Sequence, residues 1–250
     1  MQVVICPDAL QVGNVSARFV AESLRESQNP VLGLATGSSP LGLYAELARM
    51  SREDGLELSA VRGFALDEYV GIPHDHPESY HAVIQRTVTE PLGMQPENVH
   101  VPDGRADDMD AAAAQYDADI EAAGGIDVQV LGIGANGHIG FNEPFTSFAA
   151  TTHIVPLTQQ TRADNARFFD SIDEVPTHAI TQGPATIMRS RRAVLIAQGE
   201  GKADAIAAMV EGPVSQVCPA SLLQFHPDAI VVVDEKAASK LRYKEHFQSL

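Results

Sequence analysis

The sequence predicts an α/β fold with a mostly parallel sheet that is covered by helices on both faces. Short apolar runs alternate with helical patterns along the whole chain, which is typical of consecutive βαβ units. The 250 residues, 44% of them hydrophobic, are enough for a sizeable core. No internal repeat or linker rich in proline and glycine divides them, so residues 1–250 are interpreted as a single domain.

The first hundred residues predict strands at 3–6, 31–35 and 61–66 and helices at 10–26, from residue 40 and at 77–88. Each strand is a short apolar run suited to the interior of a parallel sheet. In the first helix, Val12, Val15 and Phe19 recur at helical spacing, which directs them towards the core. Ser39 suits the N-cap of the second helix and Pro40 suits its first position.

The rest of the chain predicts strands at 128–133, 152–155, 193–197 and 230–233 and helices at 109–123, 157–169, from residue 202 and at 236–250. The glycines at 124 and 125 end the first of these helices, and the alternating run at 152–155 suggests an edge strand. Residues 157–169 are polar with few core positions, which predicts that 157–182 form a mobile helical lid.

Charge and cysteine content exclude several classes of function. The formal net charge of −16 argues against nucleic-acid binding, which needs a basic face. No apolar run approaches 18 residues, so no membrane span is expected, and the amino terminus lacks the basic region of a signal peptide. Cys6 and Cys218 are expected to be buried free thiols, which fits a cytoplasmic protein.

The sequence LGIGANGHIGFNEP, at 131–144, carries the densest set of polar and glycine residues. It follows an apolar strand, and its four glycines permit turns and close approach of a ligand to the backbone. Between them lie Asn136, His138 and Glu143. A histidine with a carboxylate nearby has what a general acid or base requires, so His138 is predicted to transfer protons.

The same segment contains GIGANG, which fits the dinucleotide pattern GxGxxG. That pattern requires a helix at its third glycine and an acidic residue about 20 positions later. Neither is present, so no nucleotide cofactor is expected. His74 and His76 resemble a metal pair but lack a third ligand, and no metal site is predicted.

Asp67 follows the apolar strand of FALDEYVG. A carboxylate at the carboxyl end of a parallel strand faces the ligand crevice of such folds. Glu68 is expected to point elsewhere, so only Asp67 of this pair is predicted to be functional.

A turn between the second strand and its helix suits a phosphate, because hydroxyls and backbone N–H groups converge at a helix N-terminus. The turn consists of Thr36, Gly37, Ser38 and Ser39. Lys202 lies at a second strand-to-helix turn, and Arg167 lies on the polar helix of the predicted lid. Together these groups predict an anionic ligand.

The motifs resemble those of the glucosamine-6-phosphate deaminases. The resemblance extends over nearly the whole chain, through LATGSSP at 34–40, LDEYVG at 66–71, HPESY at 76–80, the 131–144 segment, TRADNARFFD at 161–170 and LQFHPDAIVVVDE at 223–235. It implies a Rossmann-like sheet that binds an amino-sugar phosphate and uses no cofactor. It also implies the conversion of glucosamine 6-phosphate and water to fructose 6-phosphate and ammonia.

The resemblance implies a role for each candidate residue. His138 would open the sugar ring, with Asn136 and Glu143 orienting it, and Asp67 would move a proton from carbon 2 to carbon 1. The turn at 36–39, Arg167 and Lys202 would hold the phosphate.

Two positions depart from parts of the family. Some members have aspartate in place of Asn136, which leaves Glu143 as the only anionic partner of His138 here. Some members are hexamers activated by N-acetylglucosamine 6-phosphate through basic residues; the matching positions here are His153 and Val155, which predicts weak or absent activation. A homo-oligomer is compatible with the resemblance.

Three alternatives remain from the sequence. A galactosamine-6-phosphate deaminase or a 6-phosphogluconolactonase could use the same scaffold. A non-catalytic sugar-phosphate sensor is less favoured, because no basic segment is available for a DNA-binding module.

Overall fold

In the computed structural model, the described residues are 1–248, without the side chains of residues 164, 168 and 248. The strands are β1 (Gln2–Cys6), β2 (Val31–Leu34), β3 (Arg62–Ala65), β4 (Asp67–Tyr69), β5 (Val99–His100), β6 (Val128–Leu131), β7 (His153–Pro156), β8 (His178–Thr181), β9 (Arg192–Ala197) and β10 (Ala229–Asp234). The α-helices are α1 (Ala9–Glu26), α2 (Leu41–Asp54), α3 (Tyr80–Ile84), α4 (Glu90–Leu92), α5 (Met109–Ala122), α6 (Gln159–Asn165), α7 (Pro184–Met188), α8 (Ala203–Glu211) and α9 (Lys244–Gln248).

Seven strands form a parallel sheet in the order β1-β10-β9-β6-β2-β3-β5. From β2 the chain adds strands in one direction, and from β6 it adds them in the other. The carboxyl ends of β2 and β6 therefore flank the point at which the strand order reverses. In open α/β sheets this point is where ligands bind.

Helices cover both faces of this sheet, as the sequence predicts. Side chains alternate along β2, so that Val31 packs with Tyr116 of α5, whereas Leu32 and Leu34 belong to the larger cluster with α1 and α2. The mostly parallel α/β fold predicted from the apolar runs is thus confirmed. No helix among residues 1–248 is long and apolar enough to cross a membrane.

A second, antiparallel sheet with the order β4-β8-β7 was not expected from the sequence. It begins where the chain leaves β3. Leu66 donates its N–H to the carbonyl of Leu34 in the large sheet and accepts at its own carbonyl from Gln182, the residue after β8. Asp67 is the next residue, opposite Thr181. The junction between the two sheets therefore fixes the backbone of Asp67 from both sides.

Three local predictions were wrong in detail. The N-cap of α2 is Pro40, without a side-chain cap, and not Ser39. The helix expected at 77–88 begins after Ser79, whose hydroxyl accepts from the Ala82 N–H, and changes to a π-helix at Gln85–Thr89. The helix expected at 236–250 is restricted to α9; residues 249 and 250 lie outside the described part of the chain.

The segment predicted to be a lid contains α6, two short 3₁₀ turns and, at its carboxyl end, β8. Residues 178–181 pair with both β4 and β7, so hydrogen bonds in a sheet hold the end of this segment. The mobility of residues 157–182 stays a prediction.

Candidate active site

A cavity of about 350 Å³ lies at the carboxyl ends of β2, β3 and β6. Loops that are far apart in the sequence line it, because parallel strands end at the same edge of the sheet. Eight of the ten residues singled out from the sequence contribute to its walls: Thr36, Gly37, Ser38, Ser39, Asp67, His138, Arg167 and Lys202. Asn136 and Glu143 are not among the lining residues and instead contact His138.

The imidazole of His138 lies against the backbone of Gly134. A Cβ at residue 134 would come within 2.2 Å of the ring, so no larger residue fits without displacing it. The Gly134 N–H donates to the His138 carbonyl at 2.9 Å, which closes the loop on itself. Gly134 therefore provides the space that the histidine side chain occupies.

Asn136 fixes the orientation of the His138 ring. Its Oδ1 lies 2.8 Å from His138 Nδ1 and 3.2 Å from the His138 backbone N–H, and its Nδ2 donates to Glu143 Oε2 at 2.6 Å. A carboxylate accepts only, so the amide nitrogen must face Glu143 and the amide oxygen must face His138. Nδ1 of His138 therefore carries the proton, and Nε2 is left as the basic nitrogen.

Glu143 lies behind His138, with its Oε2 3.7 Å from Nδ1. Its Oε1 accepts a hydrogen bond from the hydroxyl of Thr161. Burial opposes ionisation of this carboxyl, but His138, Thr161 and Asn136 stabilise the charged form and lower its pKa to about 2. The carboxylate is therefore anionic at neutral pH.

Asp67 is 5% exposed and lies in the wall of the cavity. The Thr181 hydroxyl lies 3.5 Å from its Oδ2, and a Cβ at Gly140 would come within 3.4 Å of the same atom. Burial raises the pKa of Asp67 to about 8; the charge of Glu68 adds to this effect, and the contact with Thr181 opposes it. A carboxyl with a pKa near neutrality is suited to general acid–base work.

Glu68 points away from the cavity, as expected. Its carboxylate accepts from the backbone N–H groups of Tyr69, Tyr80 and His81 at 2.8–2.9 Å. These bonds hold the start of α3 against β4. The two neighbouring carboxylates therefore differ in role, since Glu68 is fully occupied by backbone donors and Asp67 is not.

The polar turn at 36–39 follows β2 and Lys202 follows β9, the two strands on either side of β6. Gly37 has a φ of +87°, a conformation that favours glycine. The Lys202 ammonium donates to the carbonyl of Ile133 at 2.6 Å, which places it beside the glycine-rich loop. Arg167, from the 3₁₀ turn after α6, contributes a second cation to the cavity wall. These groups line one cavity and are of the types that can hold an anion.

Three further polar residues line the cavity and were not singled out from the sequence: Tyr80, Thr161 and Asn165. Tyr80 belongs to HPESY, and the other two belong to TRADNARFFD. Their residue types carry no chemical signal on their own, so only the recurrence of these motifs in the resembling family pointed to them.

Comparisons with known proteins identify the family of the chain. Residues 9–232 match the family model of glucosamine-6-phosphate isomerases/6-phosphogluconolactonase. The chain is 54% identical over 248 residues to the glucosamine-6-phosphate deaminase of Cutibacterium acnes, covering 99% of this chain and 95% of that protein. It is 54% identical over 249 residues to the enzyme of the same name from Streptomyces coelicolor, with the same coverage.

Two solved structures also resemble this chain. A monomeric glucosamine-6-phosphate deaminase superposes with a TM-score of 0.93 at 41% identity, covering 96% of this chain and all of that one. The 6-phosphogluconolactonase of Trypanosoma brucei superposes with a TM-score of 0.74 at 17% identity, covering 96% of this chain and 98% of that one. The second likeness extends to the fold alone.

Proposed function

The chain belongs to the family of glucosamine-6-phosphate isomerases and 6-phosphogluconolactonases, and from this premise we propose that it is a glucosamine-6-phosphate deaminase. The proposed reaction converts glucosamine 6-phosphate and water to fructose 6-phosphate and ammonia. It needs a group that opens the ring, a base near carbon 2 and groups that bind the phosphate.

Ring opening is assigned to His138. The unprotonated Nε2 accepts the proton of the anomeric hydroxyl, and the imidazolium then donates a proton to the ring oxygen as the bond from that oxygen to carbon 1 breaks. Asn136 keeps Nδ1 protonated, and the anionic Glu143 stabilises the transient positive charge, as an orienting carboxylate does in a catalytic triad.

The isomerisation step is assigned to Asp67. Its ionised carboxylate takes the proton from carbon 2, and the electron pair forms a double bond between carbons 1 and 2. The π pair of the carbonyl at carbon 1 moves to its oxygen, which takes a proton from the substrate ammonium. The same carboxyl then returns its proton to carbon 1, and the nitrogen lone pair forms a double bond to carbon 2. Carbon 2 is then an iminium carbon, to which water adds and from which ammonia leaves. The substrate ammonium, next to carbon 2, favours the ionised form of Asp67 despite its burial.

The phosphate is assigned to the turn at 36–39, Arg167 and Lys202. Anchoring this distant group fixes the reacting carbons relative to Asp67 and His138, and positioning of this kind contributes several kcal/mol to catalysis. All of these residues come from one chain. A homo-oligomer and a lid over residues 157–182 stay predictions, which light scattering and hydrogen exchange with and without substrate can test.

One observation carries the proposal. The buried Asp67 carboxyl, with its pKa raised to about 8, lines the same cavity as a histidine in a defined tautomer and two cations. Hydrolysis of a lactone requires no base over carbon 2. Because the lactonase likeness extends only to the fold, the site favours isomerisation with deamination.

The test is ammonia release from glucosamine 6-phosphate, measured together with fructose 6-phosphate. We expect equal amounts of the two products, and galactosamine 6-phosphate and 6-phosphogluconolactone serve as the competing substrates. Hydrolysis of the lactone without ammonia from either amino sugar would overturn the proposal. A clear preference for galactosamine 6-phosphate would correct the substrate and retain the mechanism.

A further inference from the structure

Two threonines at the start of α6 contact the carboxylate behind the imidazole. Thr161 Oγ1 donates to Glu143 Oε1, and Thr158 Oγ1 lies 3.3 Å from the same oxygen and 3.0 Å from Thr161 Oγ1. Thr161 is 7% exposed, so water competes little for this bond. Because Oε2 accepts from Asn136, each oxygen of Glu143 has its own donor from a different segment of the chain.

The direction of these hydrogen bonds follows from the number of protons available. Thr158 is the N-cap of α6, and its Oγ1 accepts from the Thr161 backbone N–H at 3.1 Å. A carboxylate accepts only, so the single hydroxyl proton of Thr161 points at Glu143. The hydroxyl of Thr158 then donates to Thr161 or to Glu143.

We propose that Thr161 is a positioning residue, whose hydroxyl holds Glu143 and, through Glu143 and Asn136, keeps His138 in the orientation and tautomer required for ring opening. The contacts that connect α6 to the imidazole are made by three side chains, those of Thr161, Glu143 and Asn136. The proposal rests on the proposed deaminase function. It assigns to α6 a contribution to catalysis that is separate from the phosphate contact proposed for Arg167, which lies in the 3₁₀ turn after this helix.

These contacts predict the effect of removing the Thr161 hydroxyl. Without this donor, Oε1 of Glu143 loses its shortest hydrogen bond, and the carboxylate is free to rotate towards other donors. Rotation moves Oε2 away from Asn136, whose amide then no longer holds its oxygen against Nδ1 of His138. The groups assigned to the phosphate do not depend on this chain of contacts, so we expect the rate to change more than binding.

The test compares Thr161→Val, which keeps the shape and removes the hydroxyl, with Thr161→Ser, which keeps the hydroxyl. We expect the valine variant to lower kcat for glucosamine 6-phosphate by about tenfold, with KM changing by less than about twofold, and the serine variant to recover most of the loss. An acyclic amino-alditol 6-phosphate, which has no ring to open, should bind both variants and the wild-type protein equally. Thr177→Val is the matched control in the same segment, because Thr177 is exposed and contacts His178.

Several outcomes would overturn the proposal: a wild-type kcat for the valine variant, an equal loss in the serine variant, or weaker binding of the acyclic probe in step with the loss of rate. A measurement independent of turnover is the ¹⁵N NMR signature of the His138 tautomer, in which Thr161→Val should lower the fraction protonated at Nδ1. If the wild-type protein released no ammonia, the proposed function would fail, and the tautomer measurement would still decide the role of Thr161.

Discussion

Asp67 and Glu143 are two carboxylates of one site, held in opposite environments. Asp67 is buried at the junction of the two sheets, where its only side-chain hydrogen bond among the described contacts is the 3.5 Å contact from Thr181, and its pKa rises to about 8. Glu143 is also partly buried, but it receives donors on both oxygens and its pKa falls to about 2. Hydrogen bonding, and not burial alone, therefore separates a group that can exchange a proton near neutral pH from one that stays anionic.

The largest effect is expected from Asp67→Asn, which keeps the shape of the side chain and removes the base. Deamination and exchange of the carbon 2 proton with solvent should both fall by about 10³-fold or more, while inorganic phosphate should bind as before. Asp75→Asn, at an exposed position, is the control. Mass spectrometry of the sugar in D₂O measures the exchange, and near-normal exchange would remove Asp67 as the base.

Glu143→Gln should lower kcat by about 10²-fold. The new amide keeps an oxygen for Thr161 but turns an NH₂ group towards the NH₂ group of Asn136. One of the two amides must rotate, and rotation of Asn136 takes the acceptor away from Nδ1 of His138. Steady-state kinetics measure the loss, and a rate equal to that of the wild-type protein would contradict the role assigned to this carboxylate.

The pH dependence of the wild-type rate should reflect Asp67 and not Glu143. Since the base must be ionised, kcat/KM should fall by about tenfold per pH unit below the pKa of Asp67, which is about 8 in the free protein. Glu143 is ionised throughout this range. A profile that stays flat from pH 5 to 8 would show that Asp67 is ionised in the free site.

The two carboxylates should also affect stability with opposite signs. The folded-state pKa of Asp67 lies above its ordinary value of 3.8, so between about 4 and 8 the folded protein retains a proton that the unfolded chain has lost, and stability falls as pH rises. The pKa of Glu143 lies below its ordinary value of 4.5, so its contribution is present above that pH and is lost as pH falls towards 2.

Thermal unfolding measures this difference. The Tm of Asp67→Asn minus the Tm of the wild-type protein should increase as pH rises from 4 to 8. The Tm of Glu143→Gln should lie below the wild-type Tm at neutral pH, and this difference should shrink as pH falls towards 2. For a chain of this size, each kcal/mol corresponds to about 2–4 °C. Parallel curves for the two variants would indicate that their electrostatic environments do not differ.

Six of the seven strands of the large sheet could be predicted because each is a local apolar run, whereas β5, which has only two residues, was not expected. The small sheet could not, because β4 and β8 are three and four residues long and their pairing joins Asp67 to Thr181, which is far away in the sequence. Asp67–Tyr69 also begins with two acidic residues, which gives no strand pattern. The expected helix at 236–250 failed for the opposite reason, since an amphipathic pattern alone did not extend α9.

The residues of the site also divide into those that the sequence predicts to lie together and those whose contacts it does not reveal. Asn136, His138 and Glu143 lie within eight residues of one another, so their proximity could be predicted from the sequence. Asp67 could be placed because it follows a strand. Thr161 reaches Glu143 only through the packing of α6, and a threonine in a polar segment has no pattern that reveals such a contact. The pKa of Asp67 likewise depends on burial by non-local neighbours.

The smallest effect on the rate is expected from Asn136→Asp, which tests how hydrogen bonding sets the difference between the Asp67 and Glu143 carboxylates. The new carboxylate keeps an oxygen for Nδ1 of His138, but it replaces the amide donor that lies 2.6 Å from Glu143 Oε2. Loss of this donor and the added negative charge should raise the pKa of Glu143 from about 2, measurable by ¹³C NMR titration of the carboxyl carbons. Because Glu143 remains mainly anionic at neutral pH and the tautomer is retained, kcat/KM there should change by less than about tenfold, or about 1.4 kcal/mol. Asn136→Ala, which removes the acceptor as well, should cost more; equal rates for the two variants would show that the orientation of the imidazole does not depend on residue 136.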